Sequence, residues 1–143
     1  MLLGEYNHSV DAKGRVIVPA KFRDDLGVSF IVTKGFDSSL FVFSKIEWAK
    51  FEEKIRLLPM TNPNARTFSR FFLAGATEVE LDKQGRINLP QNLLDYAGIT
   101  KDVTVIGVSS RVEIWDKAKW ENYTSDENLD VNEVAIQMSN LGI

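Results

Sequence analysis

Cysteine is absent from this chain of 143 residues, and histidine occurs once, at His8. The first absence excludes disulfides and thiolate metal sites and points to a reducing, cytoplasmic setting. The second leaves no Ser-His-Asp set beyond what His8 could serve, and His8 has no ligand-type neighbours at strand or helix spacing. It reads as an ordinary strand residue. No apolar run approaches the ~18 residues of a membrane span. Met1-Leu2-Leu3 passes straight into polar sequence, unlike a secretory leader. A phosphate loop and carboxylate clusters at metal spacing are missing too. Glu52-Glu53 lies between Lys50 and Lys54, as on a solvated helix face. These gaps argue against an enzyme, and no cofactor, metal, membrane or small-molecule substrate is expected.

Strong charge of one sign is also lacking, since the net charge is −3. The distribution says more. Residues 1–44 are balanced, residues 45–75 carry an excess of three cations, and residues 121–143 carry five acids without a cation. Around the first of the motifs described next, Lys13, Arg15, Lys21 and Arg23 face one acid, Asp11, which predicts a modest cationic patch near Arg15.

What the chain does have is a duplication. Residues 11–19 read Asp-Ala-Lys-Gly-Arg-Val-Ile-Val-Pro, and residues 82–90 read Asp-Lys-Gln-Gly-Arg-Ile-Asn-Leu-Pro. The likeness extends outward in order: Gly4 answers to Gly75, Gly27 to Gly98, Ser38-Ser39 to Ser109-Ser110 and Trp48 to Trp120. An internal repeat of this kind sets the architecture.

Each copy predicts the same elements. A short strand (Tyr6 to Val10, or Glu78 to Leu81) leads into Asp-x-x-Gly, the residues of a type I turn. A second strand follows, Arg15–Val18 or Arg86–Leu89, with Val16 and Val18, or Ile87 and Leu89, on one face. Arg15 and Ile17, or Arg86 and Asn88, take the other face. Pro19 and Pro90 stand where a first helical residue would, and the short helices end at Gly27 and Gly98. Phe22 with Leu26, and Leu93 with Ala97, give each helix one apolar face. Two further strands complete each half, at residues 30–33 and 40–43, and at 103–106 and 112–115. Between the halves, Trp48, Phe51, Ile55 and Leu58 form a helical stripe that stops at Pro59. Asn62-Pro63 then opens a second helix carrying Phe68, Phe71, Phe72, Arg66 and Arg70. A last helix is expected after Ser125, with Leu129, Val134, Met138 and Leu141 on one side and Asp126, Glu127, Asp130 and Glu133 in its first turns. Both stripes have two uses open to them, packing on the body or joining subunits.

Turn chemistry accounts for Asp11, Gly14, Asp82 and Gly85. It does not account for an arginine at the same place twice on the face away from the core. That face is either soluble decoration or an anion-recognition surface, because the arginine fork suits phosphate or the guanine edge. Two such hairpins could enter a DNA groove as β-ribbons do. In that reading the aspartates orient the arginines, and Arg15, with more cations nearby, should cost more to remove than Arg86.

The repeated Asp-x-x-Gly-Arg-[Val/Ile]-x-[Val/Leu]-Pro followed by a short helix resembles the AbrB-type DNA-binding half-unit. Two copies, with Gly4-Glu5-Tyr6 in front and Arg70-Phe71-Phe72-x-x-Gly75-Ala76 between them, resemble the bacterial MraZ family over nearly the whole chain. The resemblance implies a mainly β fold with added helices, a double-split, swapped-hairpin β-barrel of the AbrB/MazE/MraZ-like kind. Its parts would be a first half-unit at residues 5–47, a helical insertion at 48–75, a second half-unit at 76–119 and a helical segment at 120–143. It further implies a transcriptional regulator that binds repeated double-stranded promoter sites upstream of the division and cell wall gene cluster. Such a regulator would be cytoplasmic, associated with the nucleoid and assembled into a homo-oligomeric ring. The family's DNA-reading residues carry over to Asp11 and Arg15 and to Asp82 and Arg86; Lys13 and Lys83, inside the motifs, are added as DNA contacts. Two readings compete: an oligomeric scaffold that grips acidic protein partners, and an antitoxin-like AbrB-fold module, which normally has one half-unit.

Overall fold

The computed structural model describes residues 1–143. The first half contains β1 (Leu2–Ser9), β2 (Arg15–Ile17), α1 (Ala20–Leu26), β3 (Ser29–Lys34) and β4 (Leu40–Phe43). Helices α2 (Lys45–Arg56) and α3 (Pro63–Ala74) follow. The second half repeats the order with β5 (Thr77–Glu80), β6 (Arg86–Asn88), α4 (Gln91–Ala97), β7 (Asp102–Ser109) and β8 (Val112–Asp116). Helices α5 (Lys117–Tyr123) and α6 (Val131–Met138) and a 3₁₀ turn at Ser139–Leu141 complete the chain. The fold is mainly β with added helices.

Pairing crosses between the repeats. Six strands make one antiparallel sheet in the order β1-β7-β8-β4-β3-β5, and β2 pairs with β6 in a separate two-stranded ribbon. The first strand of each half pairs with the third strand of the other, and the fourth strands, β4 and β8, meet in the middle. Exchanging each strand for its repeat partner reads the sheet order backwards, so the sheet has a pseudo-twofold centre between β4 and β8. The interleaving implied by the family resemblance is present. The hydrogen-bonded ladders are six strands and two, not one unbroken ring.

This crossing corrects the simple hairpin expected within each Asp-x-x-Gly motif. Of the local β1–β2 hairpin only one bridge survives, Val10 to Val16. The reason lies in the alternation. Opposite residues of an antiparallel pair share a face, so pairing β2 with β6 sets Val16 against Ile87 and leaves each only 1% exposed. A local hairpin could not bring these two together.

The main core gathers both repeats. Phe22 and Leu26 from α1 and Leu93 and Ala97 from α4 are buried as their spacing requires. They join Val16, Ile87, Phe30, Val32, Val103 and Val105 in one apolar cluster. A second, smaller core lies under the insertion. Phe41, Phe43, Ile55 and Phe72 are its centre, with Trp48, Phe51 and Phe71 around them. The α2 stripe therefore packs on the body, apart from Leu58 at its open end. Thr33 Oγ1 donates to the Phe72 carbonyl at 2.8 Å, which fastens α3 to the sheet.

Three expectations need correction. Pro19 and Pro90 occupy the N-cap positions of α1 and α4, one residue before the first helical turn. The last helix starts at Val131, because Asp130 Oδ1 caps it by accepting from the amides of Asn132 and Glu133. Asp126 and Glu127 thus precede the helix. Between them and β8 lies α5, which sequence periodicity did not suggest; Asp116 caps it, and its Trp120 and Tyr123 pack on Trp115.

Candidate nucleic-acid interface

The two motifs build the same turn atom for atom. In the first, Asp11 Oδ1 accepts from the amides of Lys13 at 3.0 Å and Arg15 at 2.9 Å, and the Gly14 amide donates to the Asp11 carbonyl at 3.0 Å. In the second, Asp82 Oδ1 accepts from Gln84 and Arg86, both at 2.9 Å, and the Gly85 amide donates to the Asp82 carbonyl at 3.0 Å. Gly14 and Gly85 take φ of 81° and 75°, where a side chain is strained.

The second carboxylate oxygen does something different. Asp11 Oδ2 accepts from Arg15 Nε at 2.7 Å, and Asp82 Oδ2 accepts from Arg86 Nε at 2.8 Å. Each aspartate thus engages the inner nitrogen of its guanidinium and leaves the two terminal nitrogens without a partner in the chain. A free pair of terminal N–H groups is the fork that meets guanine O6 and N7 or a phosphate. The Arg15 amide donating to Asp11, with the Arg15 side chain as a further cause, holds the Asp11 carboxyl below the usual carboxylate range. Arg86 does the same for Asp82. Partial desolvation opposes both shifts without cancelling them.

The ribbon brings the two motifs onto one surface. Arg15 stands opposite Asn88 and Ile17 opposite Arg86, so all four point to the face away from Val16 and Ile87. The arginines occupy diagonal corners, roughly 7–8 Å apart by sheet geometry. Each turn abuts the far end of the other repeat's strand: the Leu89 amide donates to the Gly14 carbonyl at 2.8 Å, and the Val18 amide to the Gly85 carbonyl at 2.9 Å. Lys13 and Lys83 are exposed in the turns at opposite ends of the ribbon, and neither forms an ion pair. All six site residues expected from the sequence lie along this strip.

One expectation about the patch is overturned. Arg23 does not reinforce Arg15. Its Nε donates to the Val18 carbonyl at 2.9 Å, and its guanidinium covers Gly85 of the second turn, where a Cβ would lie 2.2 Å from Arg23 Cζ. The first turn has Leu94, the repeat counterpart of Arg23, over Gly14 instead. Sequence reading missed this because the strand exchange hands α1 to the other repeat's turn; Asn88 and Ile17 were legible as outward residues, but not as neighbours of the opposite arginines.

Burial, and then the nearby Arg23 cation, hold the His8 imidazole below its ordinary value, so it is neutral at pH 7. No cluster of three or more His, Asp or Glu side chains is placed to hold a metal. No helix is long and apolar enough to cross a membrane.

The family model of the MraZ protein matches residues 1–71 and again residues 72–139, one match for each half of the duplication. The chain is 60% identical over 143 residues to a protein of Acetivibrio thermocellus named transcriptional regulator MraZ, covering the whole of both. It is 55% and 54% identical, again over both full lengths, to proteins of the same name from Alkaliphilus oremlandii and Clostridium tetani. Their shared name describes a regulatory role and no catalysis. The chain belongs to the MraZ family.

Proposed function

We propose that this chain is a transcription regulator that reads double-stranded DNA through the outer face of the β2–β6 ribbon. Its relatives' common name supports regulation of transcription in general terms. The observation that carries the finer reading is the placement of Arg15 and Arg86. Both stand on one exposed ribbon face, each with an aspartate on Nε and its terminal nitrogens free.

A two-stranded ribbon fits a major groove about 12 Å wide. Asp11 and Asp82 repel phosphate, so they favour the insertion of the arginines between the backbones, toward base edges. In this reading Lys13 and Lys83, exposed at the two ends, meet phosphates and set the register. One strip with so few cations binds weakly and with a steep salt dependence. Several copies in a homo-oligomeric ring, meeting repeated promoter sites upstream of the division and cell wall cluster, make later contacts intramolecular. Avidity then adds about 10²–10⁴ in affinity. The protein would act in the cytoplasm at the nucleoid.

The test is fluorescence anisotropy with a duplex carrying the repeats and a shuffled duplex, at moderate salt. The wild type should prefer the repeats, and Arg15→Ala with Arg86→Ala should abolish that preference while native mass spectrometry finds the assembly unchanged. Wild-type-like binding by the double variant would sink the mechanism. Equal, weak binding of both duplexes by the wild type would favour a scaffold in which the arginines hold acidic protein partners.

A further inference from the structure

Every residue from Asp130 to Ile143 is exposed, although α6 is well made. Asp130 caps it, and Gln137 Nε2 donates to Glu133 Oε1 one turn back at 3.3 Å. Val131, Val134, Met138 and Leu141 recur at spacings of 3, 4 and 3, and Leu141 is 73% exposed. An eight-residue helix is too short to persist in water on its own. Its apolar face requires a partner that its own chain does not supply.

A complementary surface exists on the same molecule. The open ends of α2 and α3 form a groove of about 410 Å³, walled by Leu58, Met60 and Leu73 and edged by Arg56, Arg66 and Arg70. Arg66 Nη1 donates to the Met60 carbonyl at 3.0 Å, Arg56 pairs with Glu52 at 3.7 Å, and Arg70 has no acidic partner. The groove is therefore apolar within and cationic at the edge. Residues 121–143 carry five acids and no cation, with Asp126, Glu127, Asp130 and Glu133 just before and inside the first turn of α6. Apolar face and charge both match.

We infer that α6 of one copy seats in the α2–α3 groove of a second copy. This rests on the assembly part of the function proposed above, and it says which surfaces make the contact. Helix and groove are different surfaces of one chain, so the contact is head-to-tail, and repetition closes a ring or runs on as a filament. It also leaves the β2–β6 ribbon uncovered in every copy, because neither contact surface includes it.

Two full-length variants and their mixture decide the matter by native mass spectrometry. Val134→Asp with Leu141→Asp spoils the helix face, and Met60→Asp with Arg70→Glu spoils the groove; all four positions are exposed, so folding should survive, which circular dichroism checks. The wild type should be assembled and each variant alone monomeric. The equimolar mixture should give a heterodimer and nothing larger, because it retains one intact helix and one intact groove. Variants that assemble like the wild type, or a mixture that stays monomeric, overturn the inference while leaving an assembled wild type in place. A monomeric wild type would instead remove the assembly reading itself.

Discussion

The two Asp-x-x-Gly-Arg turns share a backbone, a hydrogen-bond set and an arginine pose, yet different residues cover them. Leu94 lies over Gly14, and Arg23 lies over Gly85. These covering residues are repeat counterparts, each delivered to the turn of the opposite half by the β2–β6 exchange. Along the sequence the first turn owns the cations; in space the second turn has gained one. In an interleaved duplication, neighbours in sequence are poor guides to neighbours in charge.

The largest effect should come from removing both forks. A bidentate arginine–base contact contributes about 1–3 kcal/mol of discrimination, so Arg15→Ala with Arg86→Ala should weaken repeat-site binding on the order of 10²–10⁴-fold. The single variants test the comparison. With matching geometry and Arg23 at the second turn, Arg15→Ala and Arg86→Ala should cost similar amounts in an anisotropy titration. A much greater loss for Arg15 would restore the ranking that sequence charge suggested.

Stability should separate the turns more sharply. Alanine at either glycine meets a positive φ that disfavours a side chain by about 1–2 kcal/mol. At Gly14 the new Cβ also meets the Leu89 carbonyl at 2.9 Å, backbone that cannot step aside, whereas at Gly85 it meets the far end of the Arg23 side chain, which can swing away if it gives up its bond to the Val18 carbonyl. Gly14→Ala should therefore cost roughly 1–3 kcal/mol more, as overpacking does, in urea unfolding. Equal losses would mean that Arg23 is as fixed as the backbone. Arg23→Ala itself should act mildly and without sequence preference. It removes one candidate phosphate contact, so the slope of log affinity against log salt should fall by about one, equally on repeated and shuffled duplexes.

Much of this was legible in the sequence for a physical reason. Period-two alternation fixed which way Val16, Ile87 and both arginines point, and Asp and Gly spacing fixed the turns, since both are local constraints. The order of elements in each half followed from the duplication. Register between halves was not legible, because the same alternation is satisfied by a local hairpin and by the exchange; only burial of Val16 against Ile87 chooses. The misplacement of Arg23 followed directly from that gap. Helix α5 was not legible because its seven residues carry only one aromatic pair, Trp120 and Tyr123, too short a stripe to stand out, and that pair packs on Trp115 of the preceding strand.

The smallest effect, and the strictest test of equivalence, is on pH dependence. Asp11 and Asp82 sit below the usual carboxylate range chiefly because the Arg15 and Arg86 amides donate to them. A carboxyl depressed in the folded state stabilises it fully above its unfolded value of about 4 and loses that contribution as pH falls through the folded value. Asp11→Asn and Asp82→Asn should thus each flatten the acid limb of a stability profile below about pH 4, and by like amounts. His8 acts in another window. Burial and Arg23 depress it, so stability should already begin to fall as pH drops through about 6.5, where the unfolded chain takes up the proton first. His8→Gln removes that upper slope and leaves the acid limb alone. If only one aspartate variant then changes the acid limb, the two turns are not equally formed in solution, and the difference in their covers reaches the carboxylates themselves.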